Sequence, residues 1–299
     1  MLCLAGPTGT GKTGAALAVA RELPAVVVNF DSRQVYADFP IVTAQPTAEE
    51  RAVCPHRLYG FLPTDQSLTA AAFADLARAE VRAAADQGLL PILVGGTGLY
   101  LKAILQGLAP IPPIPDQVRQ AVLARLKAQG APALHAELSR VDPDYAARIH
   151  PNDSQRNARA LEVFQATGKT LTWWHAEGSE AAPFEPLLLG LGRDLESLTP
   201  VLAGRVRAML EAGALDEVRR AWERCPDPEA PGFSGIGCAE LVAHLRGGLS
   251  LDAAVARWIK NTRAYAKRQF TWFKAVPGLR WLAPGDGAGA LAAVREWLG

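Results

Sequence analysis

A phosphate-binding pattern lies close to the amino terminus of this 299-residue chain. In the stretch GPTGTGKT, residues 6–13, four residues separate Gly6 from Gly11, and Lys12 and Thr13 follow directly. A glycine-rich turn between a strand and a helix points backbone N–H groups at an anion, and the helix N-terminus adds about half a positive charge. Lys12 supplies a cation for the outer phosphate, and the Thr13 hydroxyl can bind Mg²⁺. The pattern therefore predicts a site for a molecule with at least two linked phosphates. The residues expected to surround these phosphates are Gly6, Pro7, Thr8, Gly9, Thr10, Gly11, Lys12 and Thr13.

One carboxylate is placed to act beside that site. Phosphoryl-transfer enzymes with such a loop usually hold their metal with a second acid at the end of another strand. The apolar run that ends in GGTG, residues 95–98, carries no acid there, whereas the run AVVVNFD ends in Asp31. Ligands of open α/β sheets bind at the carboxyl ends of the strands. Asp31 is therefore either a general base beside a bound diphosphate or the N-cap of a following helix.

The stretch GGTGLY, residues 95–100, is a second glycine-rich turn between a strand and a helix. Its glycines allow close approach of the backbone to a ligand, and Thr97 offers a hydroxyl. By itself the pattern is weak. A plain turn with Thr97 as a helix cap explains it equally well.

A cationic and aromatic helix is predicted near the end of the chain. Residues 253–274 contain no acid, and their six cations fall within an arc of roughly 140° on a helix. Such an unmixed stripe favours a polyanion, which is either a nucleic acid or the diphosphate itself. The aromatic residues Trp258, Tyr265 and Trp272 are spaced by seven and are expected to pack in the core. The cations are Arg257, Lys260, Arg263, Lys267, Arg268 and Lys274.

A second basic segment precedes a helix in the middle of the chain. In RIHPNDSQRNARALEVF, Asn152 and Asp153 are expected to cap a helix that carries Gln155, Arg156 and Arg159 in its first turns. Gln and Arg at a helix N-terminus suit base edges and phosphate oxygens.

The elements that position these residues follow an α/β pattern. Short apolar runs near residues 2, 26 and 92 alternate with alanine-rich helices, which predicts a parallel sheet flanked by helices. The proline-rich stretch 109–116 is predicted as a linker to a helical insertion, residues 116–185. The run PLLLGLGRD near residue 190 is predicted to return to the sheet. The expected organisation is a core made of 1–115 and 186–299, interrupted by the helical insertion.

Composition is that of a globular cytoplasmic protein. Hydrophobic residues make up 49% and charged residues 20%, and the net charge of +1 means that a nucleic-acid surface must come from local clusters. The four cysteines lack metal-ligand spacing and are expected to be reduced, buried thiols. The amino terminus does not resemble a signal peptide, and the apolar runs are too short to span a bilayer.

Taken together, these segments resemble the tRNA dimethylallyltransferase family, the bacterial tRNA isopentenyltransferases. The matching segments follow the family's order from residue 6 to residue 273. They are GPTGTGKT, DSRQVY, PHRL, VGGTGLYLKA, RIHPNDSQRNARALEV, TGK and TRAYAKRQFTWF. The resemblance implies a P-loop NTPase-like core. It also implies transfer of a dimethylallyl group from dimethylallyl diphosphate to the exocyclic amine of the adenosine 3′-adjacent to the anticodon in tRNA, with release of diphosphate.

The resemblance also implies roles for individual residues. Asp31 would accept the proton of the adenine amine, while Lys12, Arg205 and Thr13 with Mg²⁺ would stabilise the leaving diphosphate. The insertion would contact tRNA, and the enzyme is expected to act as a monomer away from membranes. The implied tRNA-binding residues are Asp31, Ser32, Arg33, Gln34, Thr97, Arg119, Gln155, Arg156, Asn157, Ala158, Arg159, Lys267 and Arg268.

Three positions depart from the family pattern. An arginine that faces the diphosphate in the family is Val201 here, which shifts that task to Arg205 or to the basic helix. Gln45 and Cys238 replace the usual residues of two further segments. Two other functions remain as alternatives. One is a small-molecule kinase that uses ATP, and the other is a nucleotide-dependent RNA-binding protein without catalysis.

Overall fold

The computed structural model describes residues 1–179, 181 and 183–299. Within them, six parallel strands form one sheet in the order β3-β2-β4-β1-β5-β6. The strands are β1 (Leu2–Ala5), β2 (Ala25–Asn29), β3 (His56–Arg57), β4 (Leu90–Gly95), β5 (Leu187–Leu191) and β6 (Arg280–Leu282). The interior strands β1 and β2 are buried throughout, because helices cover both faces of a parallel sheet.

Several loops that carry predicted site residues leave the sheet at the carboxyl ends of neighbouring strands. Ala5 of β1 is aligned with Gly95 of β4 on one side and with Gly190 of β5 on the other. Asn29, the last residue of β2, is aligned with Val94. The phosphate loop, the turn that carries Asp31 and the GGTG turn therefore start at neighbouring points of the sheet.

The helices follow the alanine-rich and amphipathic stretches of the sequence. In chain order they are α1 (Lys12–Ala20), α2 (Ala48–Val53), α3 (Ala70–Asp86), α4 (Gly98–Gln106), α5 (Asp116–Gln129), α6 (Ala131–Val141), α7 (Pro143–Ala146), α8 (Ser154–Thr167), α9 (Leu171–Ala176), α10 (Leu195–Glu211), α11 (Ala214–Arg224), α12 (Cys238–Leu245), α13 (Leu251–Lys274) and α14 (Gly287–Leu298). A 3₁₀ helix spans Pro231–Ser234. None of these described helices is both long enough and apolar enough to cross a membrane.

Helices α1 and α14 share one hydrophobic core with the sheet. Ala15, Val19, Ala290 and Val294 are fully buried in this core, together with strand residues such as Leu4. Alanines at these contacts let the two helices lie close to each other and to the strands. The first turn of α1, which carries the phosphate-binding residues, is thereby held against the sheet.

The chain divides into two compact units, residues 1–105 with 182–299 and residues 106–181. The second unit contains α5 to α9 around a core that includes Leu134, Leu138 and Leu161. Ile111 and Ile114 of the predicted linker pack against this core. The helical unit therefore starts before Asp116, the predicted first residue of the insertion. Of the predicted insertion, Glu180 and Ala182 lie outside the described residues.

Candidate active site

The predicted phosphate loop connects β1 to α1 and is fixed at both ends. Gly6 has a φ of 142°, and a Cβ there would lie 2.4 Å from the carbonyl oxygen of Leu191. Gly11 has a φ of 82° and faces Gly285, whose N–H donates to the carbonyl of Thr10 at 2.9 Å. Only glycine tolerates such close approach in this backbone conformation. The loop geometry therefore depends on β5 and on the segment that precedes α14.

Lys12 lies along the inside of the loop. Its Nζ donates to the carbonyls of Gly6 at 3.0 Å and Pro7 at 2.8 Å. Burial lowers the pKa of Lys12 to about 8, Asp31 opposes this shift, and the cation of Arg205 adds to it. Two distant side chains, Asp31 and Arg205, therefore act electrostatically on the lysine of the loop.

Asp31 occupies a tight turn after β2. Its Oδ1 accepts the N–H of Arg33 at 2.9 Å. Asn29 Oδ1 accepts the N–H of Asp31 at 2.7 Å, and Asn29 Nδ2 donates to the Asp31 carbonyl at 3.0 Å. In the described chain the next helix begins only at Ala48, so the interpretation of Asp31 as a helix cap is wrong. The short polar turn consumes the hydrogen bonds that a cap would have given to a helix.

Thr97 links the second glycine-rich turn to the turn of Asp31. Its Oγ1 accepts the N–H of Ser32 at 2.9 Å and donates to Ser32 Oγ at 3.2 Å. The hydroxyl of Thr97 thus connects its own turn to the turn of Asp31. Burial and the charge of Asp31 raise the pKa of Tyr265 to about 12, and a hydrogen bond with Thr97 opposes the shift.

A cavity of about 350 Å³ is lined by some of these residues, whereas Lys12, Thr13 and Thr97 are not among its lining residues. Its polar lining includes Thr8 of the phosphate loop, Asp31 and Arg205 of α10. An apolar wall faces the same space, formed by Val42, Leu202, Val206, Met209, Ile236 and Trp258. Such a lining suits a ligand with a strongly anionic part and a small hydrocarbon part.

Arg205 is placed in this cavity by the buried face of α10. Leu202 and Val206, which flank it in the helix, are fully buried or nearly so. Burial lowers the pKa of Arg205, and the charge of Asp31 opposes that shift. Val201, at the position of the family's arginine, is 39% exposed. Arg205 is therefore the cation that α10 places among the cavity residues.

The remaining predicted residues of the first unit differ in how they are held. Arg33 donates to Ser234 Oγ at 2.9 Å and lines the cavity. Gln34 Nε2 donates to the carbonyls of Thr43 and Ala44 at 3.0 and 2.7 Å, so its amide braces its own loop.

The basic helix is confirmed as α13, with Lys267 and Arg268 exposed on it. Arg268 lies over the ring of Tyr265 at 5.6 Å and also lines the cavity. The expectation of an aromatic core stripe holds for Trp258, which is 2% exposed, but is wrong for Trp272, which is 39% exposed. A spacing of seven drifts by about 20° per repeat on a straight helix, so the stripe leaves the core towards the end of α13.

In the second unit, the predicted cap of α8 is confirmed for Asp153. Its Oδ1 accepts the N–H of Arg156 at 2.9 Å. Gln155, Arg156 and Arg159 are exposed on α8, and Arg119 is exposed on α5.

Asn157 and Ala158 of the same helix are buried. Asn157 Nδ2 donates to the Pro151 carbonyl at 3.0 Å, and its Oδ1 lies 3.1 Å from His135 Nδ1. These two side chains thus hold α8 from inside the unit.

Sequence reasoning missed two residues of the site. Asn29 is the only polar residue of the apolar run AVVVN, which marks a buried amide that needs partners. Gln269 lies on α13 opposite the cationic stripe and is 4% exposed, and both ends of its amide are hydrogen-bonded. A helical wheel places it on the buried side, which is the signal that could have found it.

The described residues offer few protein ligands for a metal ion at the phosphate loop. In the described part of the chain, no group of three or more His, Cys, Asp or Glu side chains is arranged to hold a metal ion. A cation at the phosphate loop would therefore take most of its ligands from the bound phosphates, with the Thr13 hydroxyl as a protein ligand.

Residues 34–276 match the family model described as IPP transferase. A tRNA dimethylallyltransferase of Maridesulfovibrio salexigens is 54% identical over 298 residues, covering 100% of this chain and 97% of the relative. One from Desulfovibrio desulfuricans is 57% identical over 284 residues, covering 95% of this chain and 88% of the relative.

Solved structures agree with these relatives. The full-length tRNA isopentenylpyrophosphate transferase of Bacillus halodurans matches with a TM-score of 0.72 and 32% identity, covering 99% of this chain and 94% of that chain. A eukaryotic dimethylallyltransferase acting on tRNA matches with a TM-score of 0.81 and 28% identity, covering 100% of this chain and 77% of that chain. The predicted fold class is thereby confirmed, and the chain belongs to the IPP transferase family.

Proposed function

We propose that this chain transfers a dimethylallyl group from dimethylallyl diphosphate to the exocyclic amine of the adenosine 3′-adjacent to the anticodon in tRNA. Diphosphate is the product that leaves. The observation that carries the proposal is the shared cavity, in which Thr8 of the phosphate loop, Asp31 and Arg205 meet an apolar wall. A kinase would use the loop to position a phosphoryl group that moves, whereas here the loop holds the group that departs.

The loop and Arg205 stabilise the leaving group. As the bond between the allylic carbon and oxygen breaks, negative charge builds up on the diphosphate. Lys12, Arg205 and N–H groups of the glycine-rich loop would oppose that charge, although Pro7 has no N–H and the N–H of Thr8 donates to Gln269. Fixed donors in a partly buried site need little reorganisation, so they lower the barrier more than water does.

Mg²⁺ fits the protein ligands that the loop offers. Mg²⁺ is commonly held by one or two protein oxygens together with substrate phosphates, which matches a site where Thr13 supplies a hydroxyl and no acidic cluster is formed in the described residues. Thr13 would hold the ion, and the ion would supply further neutralisation of the diphosphate charge.

Asp31 accepts the proton that the amine must lose. The adenine amine is a poor nucleophile until its proton has an acceptor, and Asp31 lines the same cavity as the phosphate loop. The new bond joins the amine nitrogen to the allylic carbon, and the proton goes to the carboxylate. Since the amine is inaccessible in a base stack, the adenine must be flipped into the cavity. The apolar wall of Leu202, Val206 and Met209 surrounds the hydrocarbon and excludes water that would compete as acceptor.

The exposed cations bind the RNA. Lys267 and Arg268 on α13 contact phosphates. Ser32 and Arg33 line the cavity together with Asp31, and Thr97 is bonded to Ser32. Arg119, Gln155, Arg156 and Arg159 of the helical unit supply further contacts to phosphates and base edges. Gln34, Asn157 and Ala158 act through the backbone that they hold, because their side chains are bonded or buried within the protein. We place the reaction in the cytoplasm, where the tRNA is, and expect the protein to act as a monomer.

The direct test is transfer of label. The protein is incubated with dimethylallyl diphosphate labelled in the dimethylallyl group and with unmodified tRNA. A parallel reaction uses ATP labelled in its terminal phosphate with a mixture of small hydroxyl acceptors. We expect label in tRNA from the first reaction, located at the adenosine next to the anticodon. Labelled small molecules from the second reaction alone would instead establish a kinase, and tRNA binding without label transfer would establish an RNA-binding protein without catalysis.

A further inference from the structure

Gln269 connects two loops of the active site through its side-chain amide. Its Oε1 accepts the N–H of Thr8 in the phosphate loop at 3.0 Å, and its Nε2 donates to the carbonyl of Gly96 at 2.9 Å. The side chain is 4% exposed, so water does not compete for either bond. A single amide thus spans from the loop after β1 to the turn after β4.

The contact at Gly96 leaves no spare room. A Cβ on Gly96 would lie 2.1 Å from Gln269 Nε2 and 3.4 Å from Asp31 Oδ2. Gln269 and Asp31 thus both approach the same side of Gly96. Glycine at position 96 is required by the approach of the Gln269 amide, whereas the distance to Asp31 is an ordinary van der Waals contact.

The bridge joins the two halves of the proposed reaction. The phosphate loop holds the leaving group, and the turn after β4 holds the turn of Asp31 through the hydrogen bonds between Thr97 and Ser32. A displacement of 1 Å between reacting atoms lowers a rate by about 10²-fold. The distance between allylic carbon and amine depends on how these two loops are held relative to each other.

We propose that Gln269 is a positioning residue that sets this distance. The inference rests on the proposed function. Gln269 is not among the residues that line the cavity, and it acts through its bonds to Thr8 and Gly96. The same helix carries Lys267 and Arg268 immediately before it, so the RNA-binding cations and the bridge belong to one rigid element.

The amide group is chemically specific for this task. A methionine has nearly the same length but can neither accept from Thr8 nor donate to Gly96. An ionised glutamate can accept from Thr8, but its second oxygen faces the Gly96 carbonyl without a proton. A protonated glutamate restores both bonds, because its O–H donates and its carbonyl oxygen accepts.

The test compares Gln269→Met and Gln269→Glu with wild type, with Gln87→Met at the exposed end of α3 as the matched control. Single-turnover transfer is measured with both substrates saturating, together with separate dissociation constants for dimethylallyl diphosphate and tRNA and a thermal unfolding curve. For Gln269→Met we expect the saturated rate to fall by about 10²-fold. The dissociation constant for tRNA should change by less than twofold, and thermal unfolding should remain cooperative. Gln87→Met is expected to match wild type in every measurement.

Gln269→Glu supplies a readout that a purely structural residue would not give. The ratio of its rate to the wild-type rate is expected to rise as the pH falls from 8 to 5.5, since protonation rebuilds the donor to Gly96. A saturated rate within twofold of wild type for Gln269→Met overturns the proposal, and so does a defect confined to substrate affinity. If Gln269→Met does not fold, a pH-independent ratio for Gln269→Glu overturns it. A wild-type protein that transfers no label refutes the proposed function itself, which separates the two failures.

Discussion

The side chain of Asn29 holds the backbone of Asp31 from both sides. Its Oδ1 accepts the N–H of Asp31 at 2.7 Å, while its Nδ2 donates to the Asp31 carbonyl at 3.0 Å and to the Leu58 carbonyl at 2.9 Å. Asn29 is fully buried at the end of β2. The carboxylate is therefore presented by a turn whose backbone is fixed by the sheet.

Asn29→Ala is expected to destabilise the protein and to slow the reaction together. The change removes the partners of partly buried N–H and carbonyl groups of Asp31 and Leu58, which costs up to about 1–3 kcal/mol. Urea unfolding measures the loss of stability, and single-turnover transfer measures the effect on Asp31. Asn152→Ala, at an exposed position, is the control for stability. A normal rate in a destabilised Asn29→Ala protein would show that Asp31 does not need this support.

Asp31→Asn tests the general base without removing the turn. The asparagine Oδ1 can still accept the N–H of Arg33, which Asp31 accepts at 2.9 Å, so the local backbone is retained. Loss of the proton acceptor is expected to lower the transfer rate by about 10²–10⁴-fold. Equilibrium binding of dimethylallyl diphosphate and tRNA should persist within a few fold. Asp65→Asn, at an exposed site, is the matched control. A retained rate with both affinities lost would instead assign Asp31 to binding.

The sequence was most informative where the signal is local. The spacing of Gly6, Gly11 and Lys12 and the short β-branched runs predicted the phosphate loop and the main strands, because motif and strand both depend on near neighbours. Strands β3 and β6 contain two and three residues, which is too short for any periodic pattern. The helical cap at Asp153 was predictable for the same local reason as the loop.

Contacts between segments that are distant in the sequence could not be predicted from local patterns. The bond between Thr8 and Gln269 joins residues that are 261 positions apart, and no local pattern encodes it. The assignment of Arg205 to the diphosphate came from the family resemblance and not from spacing. Trp272 was assigned to the core because its spacing matched Trp258, but heptad drift moves it to the surface. Tertiary packing decided each of these cases.

The pKa of Lys12 predicts how binding of the diphosphate depends on pH. Burial lowers this pKa to about 8, so the free protein carries a charged Lys12 below pH 8 and a neutral one above it. Only the charged form attracts the diphosphate. The dissociation constant of dimethylallyl diphosphate is therefore expected to rise by about tenfold between pH 7 and pH 9.

Calorimetric titration across this range measures that dependence, and buffers of different ionisation enthalpy report the proton taken up. In Lys12→Arg the guanidinium stays charged, so the pH dependence should disappear even if the affinity changes. A dissociation constant of the wild type that is unchanged at pH 9 would mean that Lys12 does not titrate before the ligand binds.

Salt dependence tests the proposed RNA-binding cations one at a time. Each lysine or arginine that neutralises a phosphate releases counterions, so its removal lowers the slope of log affinity against log salt by about 1. Lys267→Ala on α13 is expected to show this change in tRNA binding, measured from 50 to 300 mM salt. Arg156→Ala on α8 is expected to show a smaller one, because Arg156 already lies 3.6 Å from the carboxylate of Asp153. Arg295 lies on α14 and pairs with Glu22 at 3.2 Å. Arg295→Ala should therefore leave the slope unchanged. An unchanged slope in Lys267→Ala would remove α13 from the RNA-binding surface and leave Arg268 to act within the cavity alone.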